Sequence, residues 1–170
     1  MNAGLRLFLM GGDELMKAIS LWQPWASAIA RGAKYIETRR WATNYRGPLA
    51  IHAAKHENHS ELIAIASDWS WCAALGWKKS DPTHPWERIP FGAIVATCTL
   101  AACLCVEDIP IKELDALRFR GGHGFDSWTE RMMGDFSPGR FGWVLTNVKP
   151  LENPIPYRGA QGLFNVEISL

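Results

Sequence analysis

The sequence predicts an α+β domain in which a curved sheet or small barrel carries a few peripheral helices. Three observations lead there. Segments with strand character outnumber those with helical spacing, no β-α unit repeats at a regular length, and an apolar, β-branched run from Phe91 to Val106 supplies one long core strand. At 170 residues the chain fits a single domain and buries a core without disulfide staples.

The elements follow in order. Lys17 to Leu21 reads as a short first strand feeding a helix over residues 24–31, where Trp25, Ala28 and Ile29 recur at helical spacing, Pro24 suits the first turn and Gly32 ends the helix left-handed. Tyr35 to Arg39 is a short strand that places Tyr35, Glu37 and Arg39 on one face. The next strand, Pro48 to Ala54, points Leu49, Ile51 and Ala53 one way and His52 the other. Ser60 is a candidate N-cap for an amphipathic helix from 60 to about 75, closed by Gly76 and crossing over the sheet. The Pro-rich stretch from Gly76 to Pro90 is an extended loop pinned by Trp77 and Trp86.

Bending of the long strand is expected near Ala101-Ala102, as in barrels. Beyond it the pattern is less regular: a helical turn over Pro110 to Leu117, a flap at Gly121-Gly122-His123-Gly124, and a short helix over Ser127 to Met133. Gly139 to Leu145 opens another strand with Trp143 and Leu145 on one face, and Ser137 and Arg140 stand at its mouth. Pro154 to Gln161 forms a tight turn system, and Gly162 admits the last strand, Leu163 to Ser169.

A formal net charge of +1 gives no global pull toward nucleic acid, so any such binding needs a local basic patch. Nine tryptophans must be buried or serve as stacking surfaces. Cys72, Cys98, Cys103 and Cys105 lack C-x-x-C spacing and read as buried reduced thiols of a cytoplasmic protein. Leu7 to Met10 is too short an apolar run for a signal segment or membrane span. His52, His56 and His59 do not make a metal site, because His52 sits in a strand and H-E-x-x-H is absent. No metal or cofactor is expected; neither a P-loop nor a strand-linked G-x-G-x-x-G is present.

Lys34, Glu37 and Arg39 put an ammonium, a carboxylate and a guanidinium beside the end of the first helix. On spacing alone this is either an ordinary surface ion pair or a polar cluster that can reach one ligand, since residues two apart on a strand face lie about 6.6 Å apart. Arg40, Trp41, Tyr45 and Arg46 form a loop rich in cations and rings, suited either to gripping single-stranded bases or to lining a barrel rim. Arg158 and Gln161 lie in a rigid Pro and Gly frame, where a guanidinium and an amide suit a base edge or a phosphate.

Gly32-x-Lys34-x-x-Glu37-x-Arg39 resembles the signature of the ASCH domain, a PUA-like family associated with RNA and coactivator proteins. Ser20 to Ala26, Tyr45 to Ala53 and Pro154 to Phe164 resemble further segments of that family in the same order, so the likeness runs from about Met16 to the C-terminus. It implies a PUA-like mixed β-barrel of five or six strands as a single domain over 16–170, with 1–15 as an N-terminal extension and Met16 as an alternative start. It also implies a cleft beside the first helix that takes RNA or a nucleoside-type small molecule, with Trp22, Gln23, Arg39, Arg40, Trp41, Ser137, Arg158 and Gln161 binding it.

Some ASCH relatives act as amidohydrolases on acylated cytidines or as ribonucleases, which brings an enzyme alternative with Lys34, Glu37, Tyr45 and Lys55 as the catalytic set. Lys34 close to Glu37 could exchange protons, although those amidohydrolases carry a threonine where this chain has Glu37. For ribonuclease action the candidates are Tyr45, His52, Lys55 and Ser137. A third reading is a protein-interaction module built on Trp69, Trp71 and Trp77. Oligomeric state is not legible.

Overall fold

The computed structural model describes residues 14–56, 58–78, 80, 83–110 and 127–169. Six strands, β1 (Glu14–Leu21), β2 (Ile36–Arg39), β3 (Gly47–Ala53), β4 (Ala93–Cys105), β5 (Phe141–Pro156) and β6 (Leu163–Ile168), form one sheet in the order β2-β5-β4-β3-β1-β6. β1 and β3 run parallel and every other neighbouring pair is antiparallel, so the sheet is mixed as expected. β2 and β6 are its two edges, so strand pairing does not close the sheet into the expected barrel.

The bend is built into the β4–β5 pair. Its register slips between Ile94 and Ala96, Thr97 and Thr99, and Leu100 and Ala102, and Asn147 on β5 has φ +52°. Each slip adds local twist, which curls the long pair around its own core. The last of them falls at the Ala101-Ala102 bend. β5, at 16 residues, is longer than the 13 of β4 and absorbs Pro154 to Pro156, so the turn before β6 starts only at Tyr157. Pro154 and Pro156 lie in its last stretch, where strand ends tolerate them.

α1 (Trp25–Ala30) connects β1 to β2 and packs Ala26 and Ile29 onto Leu49, Ile51, Leu100, Trp143 and Leu145 of the sheet. Gly32 at φ +70° ends the turn after it, as the sequence requires. The opposite face of the sheet buries Met16, Ala18, Ala50, Ile94, Val166 and Ile168. β1 takes in Glu14 and Leu15, which pair with Ile168 and Glu167.

The expected helix over 60–75 is two helices, α2 (His59–Ala66) and α3 (Trp69–Leu75). Asp68 causes the break: its carboxylate accepts from the N–H groups of Ser70 and Trp71 and so starts a new helix, while Asn58, not Ser60, caps the first. They do not form a crossover between parallel strands, since β3 and β4 are antiparallel neighbours. Instead Leu62, Trp71, Leu75, Trp77 and Met133 make a separate small core. Trp77 and partly buried Trp86 hold the following loop to it, with Trp86 stacked on His59 and His84 at 4.4 Å each.

α4 (Ser127–Met132) returns the chain to the β2 edge. The expected flap at Gly121 to Gly124 and most of the turn over Pro110 to Leu117 lie outside the described residues. None of the four cysteines forms a disulfide, but only Cys72 and Cys98 are buried; Cys103 is half-buried and Cys105 exposed. Burial pushes the Cys98 thiol up to about 12, so it stays protonated. No helix among the described residues is long and apolar enough to cross a membrane.

Candidate functional site

Two clefts open at the carboxyl ends of the parallel pair, on either side of Ser20. The first, about 720 Å³, lies between β2, the start of α1 and the turn after α4, and is lined by Trp22, Glu37, Arg39, Arg40, Asp135 and Arg140 among others. The second, about 970 Å³, is lined by His52, Lys55, Tyr157, Arg158 and Gln161. Ser20 lines both.

The polar core of the first cleft rests on Lys34, which is fully buried. Its ammonium donates to the carbonyl of Ile36 and lies 3.9 Å from Glu37 Oε2 and 3.7 Å from Glu130 Oε1. Glu130 was not foreseen from sequence. Its two carboxylate oxygens accept from the N–H groups of Tyr35 and Ile36, 2.9 Å each, and so tie α4 to the first residues of β2. Nothing in Thr129-Glu130-Arg131 marks that role, because it depends on a partner 94 residues away.

Glu37 turns outward from this buried cluster into the cleft. It sits 3.2 Å from Arg39 Nε, and Arg39 Nη2 donates to the carbonyl of Ser20 at 2.9 Å. The alternation expected of β2 therefore holds, with Glu37 and Arg39 on one face. Lys34 is not on the cleft wall. Gly134 roofs it: a Cβ there would come within 3.3 Å of the ammonium and 2.7 Å of the Phe136 ring. Asp135 and Arg140 complete the far wall through a 3.1 Å ion pair, and Arg140 Nη2 also donates to the carbonyl of Thr38 at 3.2 Å. Hydrogen bonds from the Ser137 hydroxyl and N–H, then the positive charges of Arg140 and Arg40, hold the Asp135 carboxyl below the usual range. Arg40 itself makes no ion pair or hydrogen bond among the described residues.

The other expected site residues divide. Trp22 is 55% exposed on the first cleft, tilted against His56 at 5.3 Å. Gln23 is buried, and its amide is used up holding the fold: Oε1 accepts from Ser27 N–H at 3.1 Å and Nε2 donates to the carbonyl of Pro90 at 2.6 Å. It is a latch between α1 and the loop before β4. Trp41 packs edge-on against Trp143, ring centres 4.6 Å apart, outside both linings. Tyr45 also lies outside them; its hydroxyl donates to the carbonyl of Pro48 and its ring packs on the main core. The Ser137 hydroxyl is spent on Asp135. Lys55, Arg158 and Gln161 gather in the second cleft, across Ser20 from the rest.

His52 is 1% exposed and held from both sides, Nδ1 by the Ser20 hydroxyl and Nε2 by the carbonyl of Tyr157, 3.0 Å each. Burial lowers its pKa despite the backbone carbonyl beside it. A folded-state pKa below the unfolded value means that the unfolded chain binds the extra proton first, so stability falls as pH drops through 6.5 and continues to fall until the folded-state pKa is passed. Urea denaturation between pH 7.5 and 5 is expected to show this slope, and His52→Gln to flatten it. His52, His56 and His59 have different neighbours, and no group of three His, Cys, Asp or Glu among the described residues is placed to hold a metal.

An open mixed sheet with one parallel pair, and a charged cleft where that pair ends beside the first helix, make this a small α+β domain. A family model described as the ASCH domain matches residues 19–155, and the chain belongs to the ASCH domain family. Among solved structures, the ASCH protein of Zymomonas mobilis is 16% identical, with 88% of this chain and 86% of that one covered and a TM-score of 0.46. A mutant of the same protein gives 16% identity, 88% of each chain covered and a TM-score of 0.46. No curated protein matches.

Proposed function

We propose that this ASCH domain binds RNA or a nucleoside-type ligand in the first cleft. The observation that carries the reading is an exposed indole, Trp22, sharing one hollow with the guanidiniums of Arg39, Arg40 and Arg140. A flat exposed ring stacks a base of any sequence, and Arg40 beside it, with no ion pair among the described residues, offers a planar donor fork to a phosphate. Arg39 and Arg140 already hold carboxylates, so Arg40 is the cation with most to gain from an anionic ligand. A nucleoside occupies this cleft alone. An RNA strand continues past Ser20, where Lys55, Arg158 and Gln161 meet its next phosphate or base edge.

A hydrolytic role at the same cleft rests on Glu37, the one member of the buried cluster that reaches the lining. Lys34 then acts through Glu37 rather than on the substrate. Titration with fluorescent single-stranded RNA and with N4-acetylcytidine tests both forms. Trp22→Ala is expected to weaken binding by about 1–3 kcal/mol, and Arg40→Ala to reduce the salt dependence of RNA binding by about one phosphate contact. Turnover of either compound that disappears in Glu37→Gln adds catalysis; retention without turnover leaves a binding module. Affinity unchanged in both cleft variants rejects this cleft.

The interaction-module reading fares differently. Trp71 and Trp77 are buried in the core under α2 and α3, and only Trp69 of that trio is exposed.

A further inference from the structure

Ser20 and His52 are register partners on the parallel strands β1 and β3. The Ser20 hydroxyl lies 3.0 Å from His52 Nδ1, and His52 Nε2 lies 3.0 Å from the carbonyl oxygen of Tyr157. A carbonyl can only accept, so Nε2 carries the ring proton and Nδ1 turns its lone pair to the hydroxyl. The result is an alcohol, a base within reach of its proton, and a third group that fixes the tautomer of the base.

The surroundings suit chemistry at that hydroxyl. Ser20 is only half-buried and lines the second cleft, whereas the imidazole is 1% exposed and shielded from bulk water. Gly159 passes directly against the pair: a Cβ there would lie 2.6 Å from Ser20 Oγ and 2.5 Å from His52 Cε1. The backbone N–H groups of Gly159 and Ala160, in the loop that lines this cleft, make no hydrogen bond among the described residues. Lys55 and Arg158 line the cleft with no carboxylate among the lining residues, and Phe91 and Tyr157 add an apolar wall.

We propose that Ser20 is a nucleophile with His52 as its base, and that the second cleft hydrolyses small carboxylic esters bearing an anionic end. Ser20 Oγ attacks the ester carbonyl carbon while its proton passes to His52 Nδ1. The bond to the alcohol oxygen then breaks, and the alcohol leaves with that proton. Water attacks the acyl-serine in the same way, gives its proton to Nδ1, and the carboxylic acid departs as the Ser20 hydroxyl is restored. Lys55 and Arg158 hold the anionic end. This goes beyond nucleotide binding in the first cleft and does not depend on Trp22 or Arg40.

The test is covalent. A fluorophosphonate probe, which loses fluoride as its phosphorus bonds to an activated serine, is expected to label the full chain on the peptide containing Ser20. Label should vanish in Ser20→Ala and its rate fall at least tenfold in His52→Gln. 4-Nitrophenyl hydrogen succinate should be hydrolysed about tenfold better by kcat/KM than 4-nitrophenyl acetate, and the paired substitution Lys55→Ala and Arg158→Ala should erase that preference. Ser20→Ala removes only a hydroxyl, so the assay stays decisive if His52→Gln does not fold. A folded native chain unlabelled at Ser20, or labelled equally fast in a folded His52→Gln, overturns the proposal. Equal turnover of the two esters overturns the anionic specificity.

Discussion

Glu130→Ala is expected to lower the unfolding free energy by about 3–5 kcal/mol, the cost of breaking a buried charge pair from one side. The substitution leaves two N–H groups at the start of β2 without acceptors, those of Tyr35 and Ile36, and removes one of the two carboxylates near Lys34. Each orphaned donor alone costs about 1–3 kcal/mol. Glu130→Gln should cost less, because an amide oxygen still accepts from one of the two groups. Chemical denaturation reads the difference as a shift in midpoint at unchanged slope. A loss under about 1 kcal/mol in Glu130→Ala would mean that the carboxylate does not anchor β2.

Lys34→Met is the second large effect. Methionine fills the same volume but brings no charge, so Glu37 and Glu130 face a pocket that has lost its ammonium. The expected loss is again about 3–5 kcal/mol, with a second consequence at the cleft: among the described residues Glu37 keeps only Arg39, at 3.2 Å, as a close cation. Combining Lys34→Met with Glu130→Gln should cost less than the sum of the two, with a coupling of about 0.5–3 kcal/mol. Strict additivity would show that the lysine and glutamate do not sense one another. The same double variant separates support from catalysis, since a lysine with no exposed surface cannot touch substrate.

Strand content, the short β2 with Glu37 and Arg39 side by side, the left-handed Gly32 and the bend near Ala101 were all legible in the sequence, because each is set by local spacing or by one residue's conformational range. The break at Asp68 was missed because helical spacing runs through it, and only the capping carboxylate shows that the helix restarts. Gln23 illustrates the opposite error. A polar side chain in a Trp-Gln-Pro-Trp run that resembles a family segment suggests a ligand, yet both ends of its amide are bonded to the backbone inside the protein. Glu130 and the junction at Ser20 were invisible for a different reason. Both are made by residues far apart in sequence, and only strand order brings them together.

The division into two clefts also explains why the expected site residues looked like one set. Arg39 and Arg40 belong to β2 and the loop after it, whereas Arg158 and Gln161 belong to the β5–β6 turn, and Ser20 is the strip between them. The carboxyl ends of a parallel strand pair are where such loops converge.

The most direct measurement is the crystal structure of the protein with a short pyrimidine oligoribonucleotide. Density for a base stacked on Trp22, with a phosphate within hydrogen-bond distance of Arg40, is the predicted result. An oligonucleotide bound on any other surface, or a cleft left empty at saturating concentration, would contradict it.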